Sequence, residues 1–274
     1  MNMRRRATLI DRRRLDRLYR RYHRRALVHP DPVGFLHDYP GLRDREIVGL
    51  IASSLAYGRL AQIERSVSHV LERMQSPSDF LKRSSMRSLL RTFSDFGHRF
   101  TAGEELAAML YAIKRIIDRY GSIEGCFNAG FKDDDDTILP ALSAFVAECV
   151  RAGAGRPSSL LASPSGGSAC KRLNLYLRWM VRRDEIDPGG WERIPPSKLV
   201  VPLDTHMFRI CRALGFTRRR RADLRSAIEV TEAFREIAPE DPVRYDFTLT
   251  RFGIRKDLDI GRLIEECGGN GGSC

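Results

Sequence analysis

Two short stretches combine residue types that can do chemistry. The first is Val200-Val201-Pro202-Leu203-Asp204-Thr205-His206-Met207-Phe208-Arg209. Its apolar approach turns at Pro202, and Asp204 falls at the N-cap of a helix whose buried face is Met207, Ile210, Cys211 and Leu214, with Gly215 ending it. A carboxylate there accepts backbone N–H bonds and feels the positive end of the helix dipole, which favours its charged form. Asp204 is therefore either a cap alone or a fixed negative charge that a reaction can use. The second stretch, Ser163-Pro164-Ser165-Gly166-Gly167-Ser168-Ala169-Cys170-Lys171, is a Gly-rich turn leading into a helix. Exposed N–H groups of such a turn bind phosphate, which makes Gly166, Gly167 and Ser168 candidate contacts. Lys171 lies one position off the apolar stripe formed by Cys170, Leu173, Leu177, Met180 and Val181. It is either an ordinary solvent-facing lysine or an amine belonging to the site.

The charge balance points to a polyanionic partner. The formal charge is +12, and residues 1–25 hold eleven Arg against Asp11 and Asp16, so +9 of it lies there. A second cluster, Arg218, Arg219, Arg220 and Arg221 with Arg225, is offset by Asp223 alone. Such runs are also compatible with a plain solvated face. No stretch approaches the about 20 consecutive apolar residues of a membrane span, and no apolar run follows the opening Met-Asn-Met-Arg-Arg-Arg, so the expectation is a cytoplasmic protein. The six cysteines contain no Cys-x-x-Cys pair, which argues against structural disulfides and zinc.

Helical periodicity recurs along the chain and hairpin-bounded alternation does not, so the expected fold class is all-α. Ile47–Ala56 is apolar almost all round, as a central buried helix would be, and Tyr57-Gly58 ends it. Further stripes run through Ile63, Val67, Val70, Leu71 and Met74, through Leu106, Met109, Leu110, Ile113 and Ile117, and through Ile138, Leu142, Phe145, Val146 and Cys149. The acids Asp133–Asp136 precede the last of these, where a helix dipole favours them. Residues 151–168 and 187–197, rich in Gly, Ser and Pro, are expected to be loops.

The run Val-Pro-Leu-Asp-Thr-His-Met-Phe-Arg, followed by Leu214-Gly215-Phe216, resembles the Val-Asp-Thr-His segment of endonuclease III and the other helix-hairpin-helix DNA glycosylases. The likeness continues weakly through Pro239 and Tyr245–Gly253, and upstream through Asp44–Tyr57. The chain also resembles a bacterial family of uncharacterised proteins of similar length. The glycosylase resemblance implies a catalytic role for Asp204. It also places Tyr57-Gly58-Arg59 where those enzymes carry a residue that fills the gap left by a flipped base. The family's hairpin, Leu-Pro-Gly-Val-Gly-x-Lys-Thr-Ala, is degenerate here, and Lys171, at the position of its nucleophile, lies 33 residues before Asp204. That separation is wider than in endonuclease III and similar to archaeal 8-oxoguanine glycosylases. Of the family's four iron–sulfur cysteines, Cys267 and Cys274 match only the first interval, so no cluster and no other cofactor is expected.

Charge and composition give a basic N-terminal helix or arm over residues 1–28 and a disordered Gly-rich tail over 263–274, and the resemblance implies a two-lobed helical unit over 29–262 between them. The middle lobe would cover about 44–195, and the second lobe 29–43 plus 196–262. The implied function is a DNA repair glycosylase, with AP lyase activity if Lys171 forms a Schiff base, acting as a monomer on duplex DNA with a damaged base or abasic site. A helix-hairpin-helix DNA-binding protein without catalysis, or a contact with RNA or protein through the Arg-rich helix, are the competing readings. Tyr57 could equally be core, His206 a residue that packs or hydrogen-bonds locally, and Trp179 core rather than a base-stacking platform.

Overall fold

The computed structural model describes residues 11–153, 159–255 and 258–268. The start of the Arg-rich segment, part of the Gly/Ser/Pro stretch, the Cys267 side chain and residues 269–274 lie outside the described residues, whereas 263–268, expected to begin a disordered tail, belong to the helix Ile260–Gly268, which buries Leu263.

The protein is all-α. Its helices are α1 (Arg12–Tyr22), α2 (Leu42–Ser54), α3 (Leu60–Met74), α4 (Pro77–Arg83), α5 (Met86–Thr92), α6 (Gly103–Tyr120), α7 (Ile123–Gly130), α8 (Leu139–Ala152), α9 (Lys171–Val181), α10 (Thr205–Ala213), α11 (Leu224–Ile237), α12 (Asp246–Ile254) and α13 (Ile260–Gly268). None is long and apolar enough to cross a membrane.

Packing partners follow from the apolar faces. Every residue from Ile47 to Ser54 is buried because this part of α2 has apolar or small residues on all sides, and the helix packs against α9, α4 and the 310 segment Pro32–Asp38. Helix α6 buries Leu106, Met109, Leu110, Ile113 and Ile116 against α5, α7 and α8, and ends at Gly121, whose left-handed backbone (φ +81°) lets its N–H reach the Ile117 carbonyl. A second group joins α10 to α12 and α13, with α1 laid across α12 and α13 through Leu15, Leu18 and Tyr22. The basic N-terminal helix is thus packed into the body of the protein rather than extended as an arm. Segment 29–43, expected to belong with the second group, bridges both: Pro32–Asp38 covers α2, while Asp31 pairs with Arg251 of α12 at 2.6 Å. The acids Asp133–Asp136 end before α8, whose first turn carries none.

Two features were not foreseen. Helix α9 is buried on every side from Leu173 to Val181, including Arg178, whose guanidinium meets Asp187 (3.1 Å) and Asp246. One turn on, Arg182 binds Asp184 (2.8 Å), Asp187 and Asp241 (2.8 Å). These partners satisfy charges that would otherwise be prohibitive to bury. The network ties α9 to α12 and to the 184–187 loop. The second feature is a two-residue antiparallel hairpin, β1 (Gly97–His98) and β2 (Thr101–Ala102), joined by Arg99 and Phe100.

Candidate active site

Four helices begin at one cleft of about 770 Å3: α3, α9, α10 and α11. Its lining includes Tyr57, Gly58 and Leu60 at the start of α3, and Gly167 to Leu173 at the start of α9. It also includes Leu203 to His206 at the start of α10, and Ala222 and Asp223 before α11. Each helix start brings unpaired N–H groups and the positive end of a dipole, so the cleft favours anions. Asp204 and Asp223 cap α10 and α11, accepting from Met207 N and Ser226 N respectively. Helices α3 and α9 have no side-chain cap.

Asp204 takes the expected N-cap position. Its Oδ1 accepts from Met207 N at 2.8 Å, while Oδ2 faces Lys171 Nζ at 3.8 Å. Both side chains are partly exposed to the cleft, at 24 % and 29 %. Lys171 is the first residue of α9, and its Nζ also donates to the Ala56 carbonyl at 3.2 Å, just beyond the C-terminal end of α2. The two residues, 33 positions apart in sequence, thus meet because α9 and α10 start at the same cleft. Beneath them, burial and the nearby Asp204 carboxylate, opposed by Arg178, push the Asp246 carboxyl up to about 6.

The Gly-rich turn closes one side. Pro164–Gly166 forms a 310 turn, Gly167 follows in the left-handed region (φ +75°), and Ser168 Oγ accepts from Cys170 N at 3.1 Å. Gly167 and Ser168 line the cleft and Gly166 is exposed at the turn's tip. The Gly167 carbonyl accepts from Leu224 N at 3.0 Å, which seats the start of α11 on the turn.

The remaining candidates divide. Tyr57 lines the cleft, but its hydroxyl donates to the His98 carbonyl (2.9 Å) and shares a bond with Thr101 Oγ1 (2.6 Å). Its ring lies 4.9 Å from the Arg172 guanidinium. These bonds make it a strut between α2 and the hairpin. Arg59, between cleft-lining Gly58 and Leu60, is exposed. Arg218, Arg220 and Arg221 are exposed in the loop leading to Ala222, whereas Arg219 folds back onto Ser226 Oγ (3.0 Å) and Asp223 (3.1 Å) and braces α11. His206 is exposed in the cleft; Trp179 is fully buried, which removes it as a stacking platform. Among the described residues, none of α1 lines the cleft. Among the described residues there is also no group of three or more His, Cys, Asp or Glu side chains able to hold a metal.

A family model described as a protein of unknown function, DUF2400, matches residues 31–255. The chain belongs to the DUF2400 family. The match takes in Tyr57, the Gly-rich turn, Lys171, Asp204 and Arg218–Arg221, and leaves the whole Arg-rich N-terminal segment outside. No curated protein and no solved structure matches the chain.

Sequence reasoning missed Arg172 in this site. It donates to the Ser54 carbonyl (2.7 Å) and to Ser159 as well as stacking on Tyr57, so it holds three segments of the wall together. Its position beside Lys171 after a Gly-rich turn was a usable signal: the first turn of α9 carries two adjacent cations where a helix dipole disfavours them, so each needs a specific partner.

Proposed function

We propose that this chain is a DNA glycosylase of the helix-hairpin-helix type, which flips a damaged base out of duplex DNA and removes it, and that Lys171 gives it AP lyase activity. The observation that carries the reading is the approach of Lys171 Nζ to Asp204 Oδ2, 3.8 Å apart, in a cleft where four helices begin. The cleft volume falls within the ~300–1,000 Å3 of small-ligand pockets, enough for an extruded nucleoside. The Gly166 and Gly167 N–H groups are used inside the turn, on the Ser163 and Pro164 carbonyls, so the uncapped start of α9 supplies the phosphate contacts, and Arg218, Arg220 and Arg221, exposed in the loop leading to cleft-lining Ala222, add charge.

In this reading, base departure builds positive charge on the deoxyribose, and the Asp204 carboxylate stabilises that transition state more than the ground state. Lys171 must lose a proton before it can attack, and Asp204 is the nearest carboxylate to accept it. The neutral amine then bonds to C1′, and the C1′–N bond breaks with its electron pair leaving on the base, which takes up the proton held by Asp204 as it departs and so restores the carboxylate that faces the charged sugar. Loss of a further amine proton and opening of the sugar ring at C1′–O4′ yields a Schiff base.

Borohydride trapping tests this directly. The wild type is expected to form a covalent complex with abasic duplex DNA, and Lys171→Gln is expected to form none. Trapping that survives Lys171→Gln transfers the role to another amine. No trapping and no base release by the wild type would leave a DNA-binding protein without catalysis.

A further inference from the structure

The least buried large apolar side chain among the described residues is Phe100, 83 % exposed, whereas the next, Ile264 and Leu90, are 40 % and 39 % exposed. A single exposed apolar residue ordinarily needs no explanation. Phe100 differs because of what holds it. It sits at the tip of the two-residue hairpin, and that hairpin is pinned to the cleft wall from several directions. Tyr57 Oη bonds to His98 O and Thr101 Oγ1, His98 Nε2 bonds back to Tyr57 O at 3.0 Å, and His98 Nδ1 bonds to Ser66 Oγ at 2.9 Å. Burial lowers the pKa of His98, so the neutral ring, with one donor and one acceptor nitrogen, suits both of its bonds. The tip is therefore a rigid projection and not a loose loop.

Its chemistry is as specific as its mounting. Arg99 takes φ +54°, in the left-handed region that a two-residue hairpin normally fills with Gly, Asn or Asp. Its side chain crosses Gly58 at the cleft edge, close enough that a Cβ there would meet Arg99 Cδ at 2.7 Å. The Arg99 guanidinium stands 5.4 Å from the Phe100 ring centroid. A cation and an unburied aromatic ring, fixed together beside an anion-favouring cleft, match one partner: a nucleic acid whose phosphate meets the cation and whose bases stack on the ring.

We propose that Phe100 inserts into the DNA base stack at the gap left when a base moves into the cleft, with Arg99 bound to the adjoining phosphate. This rests on the reading of the cleft as a site for an extruded base. It assigns the gap-filling role to the hairpin rather than to Tyr57, whose hydroxyl and ring are already engaged, or to Arg59. A rigid apolar wedge favours duplexes in which a base is already missing, because there the stack is open.

The test uses the full chain and duplexes carrying a tetrahydrofuran abasic analogue opposite 2-aminopurine, with an intact duplex and a single strand as comparisons. The wild type is expected to prefer the abasic duplex and to change the 2-aminopurine fluorescence on binding. Phe100→Ala is expected to melt like the wild type, bind the abasic duplex about 5- to 100-fold more weakly and lose the fluorescence change, while Phe100→Trp retains both. If the wild type prefers the abasic duplex and Phe100→Ala behaves identically, the insertion is overturned and the cleft reading stands. Equal weakening by Phe100→Ala on all three nucleic acids would also overturn it, making Phe100 a general contact. If the wild type shows no preference for the abasic duplex, both fall.

Discussion

Gly253 of α12 and His206 of α10 approach so closely that a Cβ on the glycine would lie 2.7 Å from the His206 Cβ. The contact lies at the rim of the cleft, two residues from Asp204, so the packing of α10 on α12 sets where the carboxylate stands relative to Lys171. Gly253→Ala must push α10 away. The expected cost is about 1–3 kcal/mol in stability, as for other overpacked contacts. Because the Lys171–Asp204 separation changes with it, Schiff-base trapping is expected to fall further than the loss of folded protein explains. Paired denaturation and trapping measurements check this, and wild-type trapping in Gly253→Ala would show that the site tolerates the shift.

Glu46 supplies a pH dependence. Its Oε1 accepts from Glu124 N (2.7 Å) and Trp191 Nε1 (2.9 Å) at the start of α7, yet burial outweighs these bonds and raises the carboxyl from 4.5 to about 7. A raised carboxyl pKa means stability fully present below pH 4.5 and lost as pH rises through about 7. The loss amounts to about 3 kcal/mol by linkage, as an upper figure. Glu46→Gln keeps an acceptor for both bonds and removes the titration. Urea denaturation at pH 5 and pH 8 is therefore expected to show the variant gaining on the wild type at the higher pH. Parallel pH profiles would contradict this account of Glu46.

The two arginine clusters are expected to separate in their salt dependence. Arg218, Arg220 and Arg221 are exposed in the loop leading to cleft-lining Ala222, and neutralising all three with Gln is expected to lower the slope of log K against log salt by up to about 3. Arg13, Arg17 and Arg20 are exposed on α1, away from the cleft lining, and their replacement by Gln is expected to change the slope less. Deleting residues 1–25 does not give the same information, because it removes buried Leu15, Leu18 and Tyr22 and the bond from Tyr245 to Asp16 at 2.8 Å. A larger slope change from the α1 substitutions would place the polyanion on that face.

What the sequence revealed, and what it concealed, follows the range of the interactions. The all-α class, the apolar faces of α3, α6 and α8, the Asp204 cap and the turn before Lys171 rest on local spacing and could be read directly. The Arg178–Asp246 pair spans 68 positions and has no local signature, and a lone arginine in an apolar helix does not reveal its partner. The hairpin was hidden because Arg99 stands where a turn glycine would have marked it. Tyr57 reads in the sequence as either a gap-filling residue or core, and its commitment to His98 and Thr101 depends on that same hairpin. Trp179 was weighed as a stacking platform because an aromatic one position from an apolar stripe gives no indication that the opposite face is also covered.

The most direct measurement of the central claim is single-turnover base release by the wild type and Asp204→Asn. The substrates are duplexes carrying uracil, 8-oxoguanine, hypoxanthine or alkylated bases. Asn retains an acceptor for Met207 N and caps almost as well as Asp, so the stability change is expected to stay within about 1 kcal/mol. Removing a charge directed at a cationic transition state is expected to slow release by roughly 100-fold or more. The account predicts release from at least one duplex by the wild type, with Asp204→Asn folded, able to bind and nearly inactive. Release by Asp204→Asn at the wild-type rate, or no release from any duplex by the wild type, would contradict it.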